Sequence, residues 1–166
     1  DDRIFDRVDY DLRIDPFLGT WYLIFNVKRP PLDQVKVRRA LSLTIDREGI
    51  VRTVFSGSRQ PASSLIPLGC GGYTAQAKVP TDFVVARRLL AEAGFPGGKG
   101  LPEMTVTLPM NNSEWAKAVE VIQETWRREL GVKITLEPVE QKTFLQNAQT
   151  GNYTIGFSGW FADFPD

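Results

Sequence analysis

Ser158-Gly159-Trp160-Phe161-Ala162-Asp163-Phe164-Pro165 sets one acid among three aromatic rings, near the end of a 166-residue chain. A carboxylate in apolar surroundings is costly to desolvate unless a cation pairs with it. For Asp163 that cation is either a Lys or Arg of the chain itself or the ammonium group of a ligand; residue types alone leave both open. Gly159 has no side chain and so lets another backbone come close to a strand edge. Asp163 and Asp166 also offer a two-carboxylate hydrolase pair, for which spacing in the fold is the test. As a cation site the two acids alone are incomplete.

Other chemistries are excluded by what the chain lacks. It has no His, which removes Ser-His and Cys-His dyads, His-ligated zinc and His-based pH switching. Its single cysteine, Cys70, allows neither an internal disulfide nor a multi-Cys metal site. Gly97-Gly98-Lys99-Gly100 is not a phosphate loop, because Gly follows the Lys where Ser or Thr must hold magnesium. Gly156-Phe157-Ser158-Gly159 lacks the spacing of a nucleophile elbow. Twenty basic and twenty acidic residues give zero formal charge, so nucleic acid is not an expected partner. A 42% hydrophobic content with 24% charged residues is globular composition, and no cofactor is implied.

These residues need elements to position them. Residues 1–19 read as a charged, irregular leading segment. Trp21-Tyr22-Leu23-Ile24-Phe25-Asn26-Val27 is dense in aromatic and β-branched types and reads as a buried strand, ended by Pro30-Pro31. Asp33 is the expected N-cap of a helix carrying Val37, Ala40, Leu41 and Ile45; Asp46 is that of a second helix, stopped by Gly57. Residues 57–80, rich in Pro and Gly, form a long irregular excursion. Asp82 caps a third helix with Gly94 just past its end. Met104–Leu108 alternates as a strand. Asn112 or Ser113 caps the longest helix, whose stripe is Trp115, Val119, Ile122, Trp126 and Leu130. A strand around Val132–Leu136, a short helix over 143–148 and a strand over 153–158 follow. Strand, helix, strand, helix, strand predicts an α/β fold: a mixed or parallel sheet flanked by helices. Such sheets bind ligands beyond the carboxyl ends of their strands, where Gly159 to Asp163 falls.

Several ordered segments resemble one family. They are Tyr22-Leu23-Ile24-Phe25-Asn26, Pro30-Pro31-Leu32-Asp33, Val37-Arg38-Arg39-Ala40-Leu41, Ile45-Asp46-Arg47, Pro61-Ala62, Ala86 to Phe95, Leu130-Gly131-Val132 and Gly159 to Asp166. Over about residues 20–166 the chain is similar to the second-lobe domain of the extracytoplasmic solute-binding proteins of oligopeptide and dipeptide ABC transporters. The resemblance implies one lobe (domain III) of a two-lobed clamp that closes on its ligand by a hinge motion. It also implies that the lobe is truncated at its C-terminus and that the first lobe lies outside the chain.

The implied function is capture of small peptides in the interlobe cleft and delivery to a membrane permease, with no catalytic role. The implied location is periplasmic or extracytoplasmic, lipid-anchored in a Gram-positive source. Carried over residue by residue, Asp163 pairs with the ligand's α-amino group, and backbone groups near Gly159 and Phe161 pair with an extended peptide as an added strand would. Trp160 accompanies them, and Trp115, Gln141, Ala148 and Phe157 match cleft-lining positions. Some peptide-binding members carry basic residues where this chain has Ala148 and Phe157, and an aromatic where it has Gln141. The alternative ligand is therefore a non-peptide solute of the same transporter class, an oligosaccharide or a nickel chelate. Packing readings stand beside these: Trp115 on the apolar stripe of its helix, Phe157 in phase with Ile155, and Gln141 as a helix cap.

Overall fold

The computed structural model describes residues 18–67, 70–76, 79–110 and 113–161. Strand β1 (Gly19–Phe25) is followed by α1 (Val35–Leu43), α2 (Arg47–Val54) and α3 (Phe83–Glu92). Then come β2 (Met104–Pro109), α4 (Ser113–Leu130), β3 (Ile134–Val139), α5 (Gln141–Thr150) and β4 (Ile155–Phe161). The sheet order is β1-β4-β2-β3. β2 is parallel to both β3 and β4, and β1 is antiparallel to β4. The expected mixed sheet with flanking helices is what forms.

Capping residues decide where the helices begin. Asp46 accepts from the Gly49 N–H and Asp82 from the Val85 N–H, each at 2.9 Å, satisfying a first-turn donor that the helix itself cannot. The Asp33 expectation fails. A turn after Pro30-Pro31 postpones the helix, with Leu32 N–H on the Arg29 carbonyl and Gln34 N–H on that of Pro31. Gln34 occupies the cap position with no side-chain bond. Asp33 instead offers its carbonyl to the Arg38 guanidinium at 2.9 Å. Ser113 is the first residue of α4 rather than its cap, and Asn112 lies outside the described residues. Past α3, Phe95 N–H bonds the Leu90 carbonyl and Gly94 N–H that of Ala91, with Gly94 at φ 94°. This paired closure needs a left-handed residue, which Gly adopts without a Cβ penalty.

α4 packs on one face of the sheet, with α1 and α3 close by, around Val37, Leu41, Leu90, Val106, Val119, Trp126 and Ile155. Trp126 is fully buried, and its indole N–H donates to the Leu41 carbonyl at 3.0 Å. Burial of such a ring contributes roughly 3 kcal/mol, and the bond satisfies the indole donor inside the core. α5 covers the other face, where a Cβ on Gly156 would stand 3.7 Å from the Phe144 ring.

Candidate functional site

β4 is paired on its two sides to different extents. Against β1 the register runs the whole strand, from Phe25↔Ile155 to Gly19↔Phe161. Against β2 it comprises only Val106↔Ile155 and Thr107↔Gly156. Backbone alternation explains the difference. Met104 and Met110 both send their N–H groups to β3, at 3.1 Å and 2.9 Å. The odd-numbered residues of β2 therefore face β4. Thr107 is one of them; the next is Pro109, which has no N–H to give. On β4, Asn26 N–H bonds the Thr154 carbonyl, so the even-numbered residues turn their polar groups to β1. Ile155, Phe157, Gly159 and Phe161 thus turn theirs to the β2 side; the Thr107↔Gly156 pair still engages the Phe157 N–H, and beyond it β2 has run out. The result is a stretch of strand edge at the carboxyl end of the sheet, suited to receiving an extended backbone.

Aromatic rings wall one face of this edge. Trp21 stacks on Trp115 at 4.6 Å and meets Phe161 edge-on at 5.2 Å. Trp115 also lies 4.6 Å from Phe55 and 5.4 Å from Phe157. Four elements supply these rings: β1, the end of α2, the first turn of α4, and β4. Trp160, one residue out of phase with Phe161, points to the opposite face and is 40% exposed; Phe161 is 48% exposed. The Arg59 guanidinium sits 5.8 Å over the Phe55 ring, so a cation borders the cluster.

The comparisons with known proteins agree over almost the whole chain. Residues 2–166 match the family model described as bacterial extracellular solute-binding proteins, family 5, middle region. The chain belongs to that family. It is 36% identical over 169 residues to the periplasmic oligopeptide-binding protein OppA of Salmonella typhimurium, a match spanning 95% of this chain and 30% of that protein. The oligopeptide-binding protein OppA of Bacillus subtilis is 30% identical over 167 residues, with 96% and 30% covered. Among solved structures, a periplasmic oligopeptide-binding protein from Borrelia burgdorferi superposes with a TM-score of 0.82 at 34% identity, over 90% of this chain and 30% of that one. The chain thus spans about 30% of the length of these relatives.

Within this family 5 lobe, the residues expected at the site fall in four places. Trp115, Phe157, Gly159, Trp160 and Phe161 come together at the carboxyl edge. Phe157 is 9% exposed and faces Trp115, so it packs in the wall rather than projecting from it. Gln141 is exposed at the first turn of α5, just past the carboxyl end of β3. It is not a cap: Glu140 holds that position, without a side-chain bond. Ala148 is placed apart. It lies seven residues further along α5, about 10 Å of helix rise from Gln141, beside Thr107, Phe144, Tyr153 and Gly156. It also borders an open cleft of 520 Å³ near Asn26, Lys28 and Arg29, where β1 ends and β4 begins. Asp163 and Asp166 lie outside the described residues.

Trp21 and Phe55 were not singled out from the sequence. Each read as an ordinary apolar residue of its element, and their partner Trp115 is 94 and 60 positions away. The displaced carboxyl groups are also remote from the edge. On α4, the Arg127 hydrogen bond holds Glu124 below its usual range. Hydrogen bonds from Arg128 and then Arg87 do the same for Glu129.

Proposed function

We propose that this chain is the ligand-gripping lobe of the substrate-binding component of an ABC importer, which captures oligopeptides or dipeptides between two lobes and hands them to a membrane permease. The observation that carries this reading is the ladder of β4, paired fully to β1 but for only two residue pairs to β2. A peptide seated there continues the sheet: its backbone bonds to Gly159 and Phe161, and its side chains alternate between the Trp115 side and the Trp160 side. Backbone pairing reads no side chains and suits a sequence-tolerant binder. Asp163 then meets the α-ammonium group, a charge-assisted bond contributing about 1.5–3 kcal/mol. No bond in the ligand is broken. The first lobe, outside this chain, supplies the other half of the cleft, and the whole works outside the cytoplasm, with a lipid anchor in a Gram-positive source.

Calorimetry on the full-length protein tests this. Trialanine should bind, N-acetyl-trialanine should bind at least tenfold more weakly, and Asp163→Asn should remove the difference. Equal binding of the acetylated and free peptides would end the ammonium reading. The aromatic wall of Trp21, Trp115 and Phe161 favours a second reading, an oligosaccharide or chelate stacked on the rings. Binding of such a solute, with none of any peptide, would establish it.

A further inference from the structure

Gly159 is the residue of the edge whose lack of a side chain invites a ligand explanation: a bare strand that another backbone can approach. The structure gives the space a different occupant. A Cβ built on Gly159 stands 3.0 Å from both Cδ1 and Nε1 of Trp21, and 3.5 Å from its Cε2. Trp21 and Gly159 are directly opposed across the β1–β4 ladder, so they share one face of the sheet. The indole of Trp21 lies across the bare Cα of its partner. That ring cannot swing aside cheaply, because it is stacked on Trp115 at 4.6 Å and abutted by Phe161 at 5.2 Å. A methyl group on Gly159 would press on it closely enough to push the ring out of its present stack by a few tenths of an ångström.

We infer that Trp21 is the positioning residue of the ligand-gripping edge, and that Gly159 is bare to admit the Trp21 indole rather than the ligand. The lock works from behind. Trp21 covers one face of Gly159, while the polar backbone atoms of Gly159 point in the plane of the sheet toward the open side. The ring therefore leaves them accessible and fixes their direction. It also ties β4 to the first turn of α4 through Trp115, so the edge and the aromatic wall move as one body. A ligand residue in register with Gly159 points its side chain at the packed rings, and the ligand residues on either side of it point theirs to the Trp160 face. The inference rests on the strand-addition reading above and adds the element that holds the strand.

A double-variant cycle separates the two explanations of Gly159. Full-length protein is titrated with trialanine in four forms: wild type, Gly159→Ala, Trp21→Val and the pair together. Val keeps strand propensity and has no ring atom near residue 159. The expected result is a loss of at least tenfold for Gly159→Ala in the wild-type background and less than threefold in the Trp21→Val background. An equal loss in both backgrounds would show that the methyl group meets the ligand itself, and would overturn the inference.

Near-ultraviolet circular dichroism of the Trp21–Trp115 pair gives a readout independent of ligand and of folding yield. Gly159→Ala should reduce the part of the tryptophan signal that Trp21→Val removes, with the Trp126 contribution kept in both; an unchanged spectrum for Gly159→Ala would equally overturn the lock. If the wild type binds no peptide at all, the strand-addition reading falls and the dichroism alone decides the inference.

Discussion

The two ends of the sheet are built on opposite terms. At the amino end, where α3 and α4 finish and β2 and β3 begin, backbones interlock. Gly131, at φ 67°, lies so close to the Gly97 carbonyl that a Cβ there would collide with it. Gly98 in turn stands against the carbonyls of Leu130 and Gly131. Around them Glu129 holds Arg87 and Arg128 at 2.8 Å each, and Glu92 holds Lys36 at 3.1 Å. At the carboxyl end side chains, not backbones, fill the space, rings remain half in solvent, and the β2–β4 ladder stops. One end is closed by main-chain contact that tolerates no added atom. The other ends the β2–β4 pairing early and relies on aromatic packing for shape. A site that must accept a guest needs the second arrangement, and a rigid platform for it needs the first.

Breaking the platform should cost most. Trp126→Ala removes a fully buried ring and its bond to Leu41, and should destabilise the lobe by about 3–5 kcal/mol in denaturant titration. A loss under 1 kcal/mol would mean that the core is not organised around it. Gly131→Ala should cost about 2–3 kcal/mol, combining left-handed strain with the collision at Gly97; a neutral result would show that the two loops part easily. Trp115→Ala should cost about 2 kcal/mol, because its ring is only partly buried. It should also lower ligand affinity far more than Gly131→Ala does, the sharpest contrast between the two ends. If both variants weaken binding equally, the site is not confined to the carboxyl edge.

Smaller effects follow. Asp82→Ala removes the bond to Val85 N–H and should lower the melting free energy by about 1 kcal/mol. The least effect is electrostatic. Glu124 and Glu129 are held below the usual carboxyl range, so their contribution is complete above the unfolded pKa and fades as pH falls through the folded one. Glu124 is exposed and Glu129 keeps 19% of its side chain accessible, with guanidinium partners that are themselves in solvent, so the effect is modest and shrinks in salt. Melts of Glu129→Gln and wild type should converge on acidification below pH ~4, near the ordinary Glu value. A gap that widened there instead would refute the sign.

Legibility in the sequence followed the range of the interactions. Local signals were readable: Asp46 and Asp82 as caps, Gly94 past a helix end, and the strand–helix alternation after residue 104. Asp33 misled because Pro30-Pro31 imposes a turn whose backbone bonds outrank its capping ability. The last helix was read too short because Gln141, Lys142 and Thr150 add no apolar period to Phe144. The candidate edge was half legible. Gly159 and its aromatic neighbours stood out by composition. Their geometry did not, because it depends on Trp21 and Trp115 meeting across 94 positions, and on which parity of β2 falls at Pro109. Ala148 and Gln141 share a helix, yet two turns of it carry them to different places.

Pro109 carries a consequence for any attempt to redesign this lobe. A residue with an amide hydrogen in that position would offer the carbonyl of Phe157 a partner from within the chain and carry the β2–β4 ladder one step closer to Gly159. The imino acid ends the weave at that point, and on the proposed strand-addition reading its replacement would shorten the edge left for a guest.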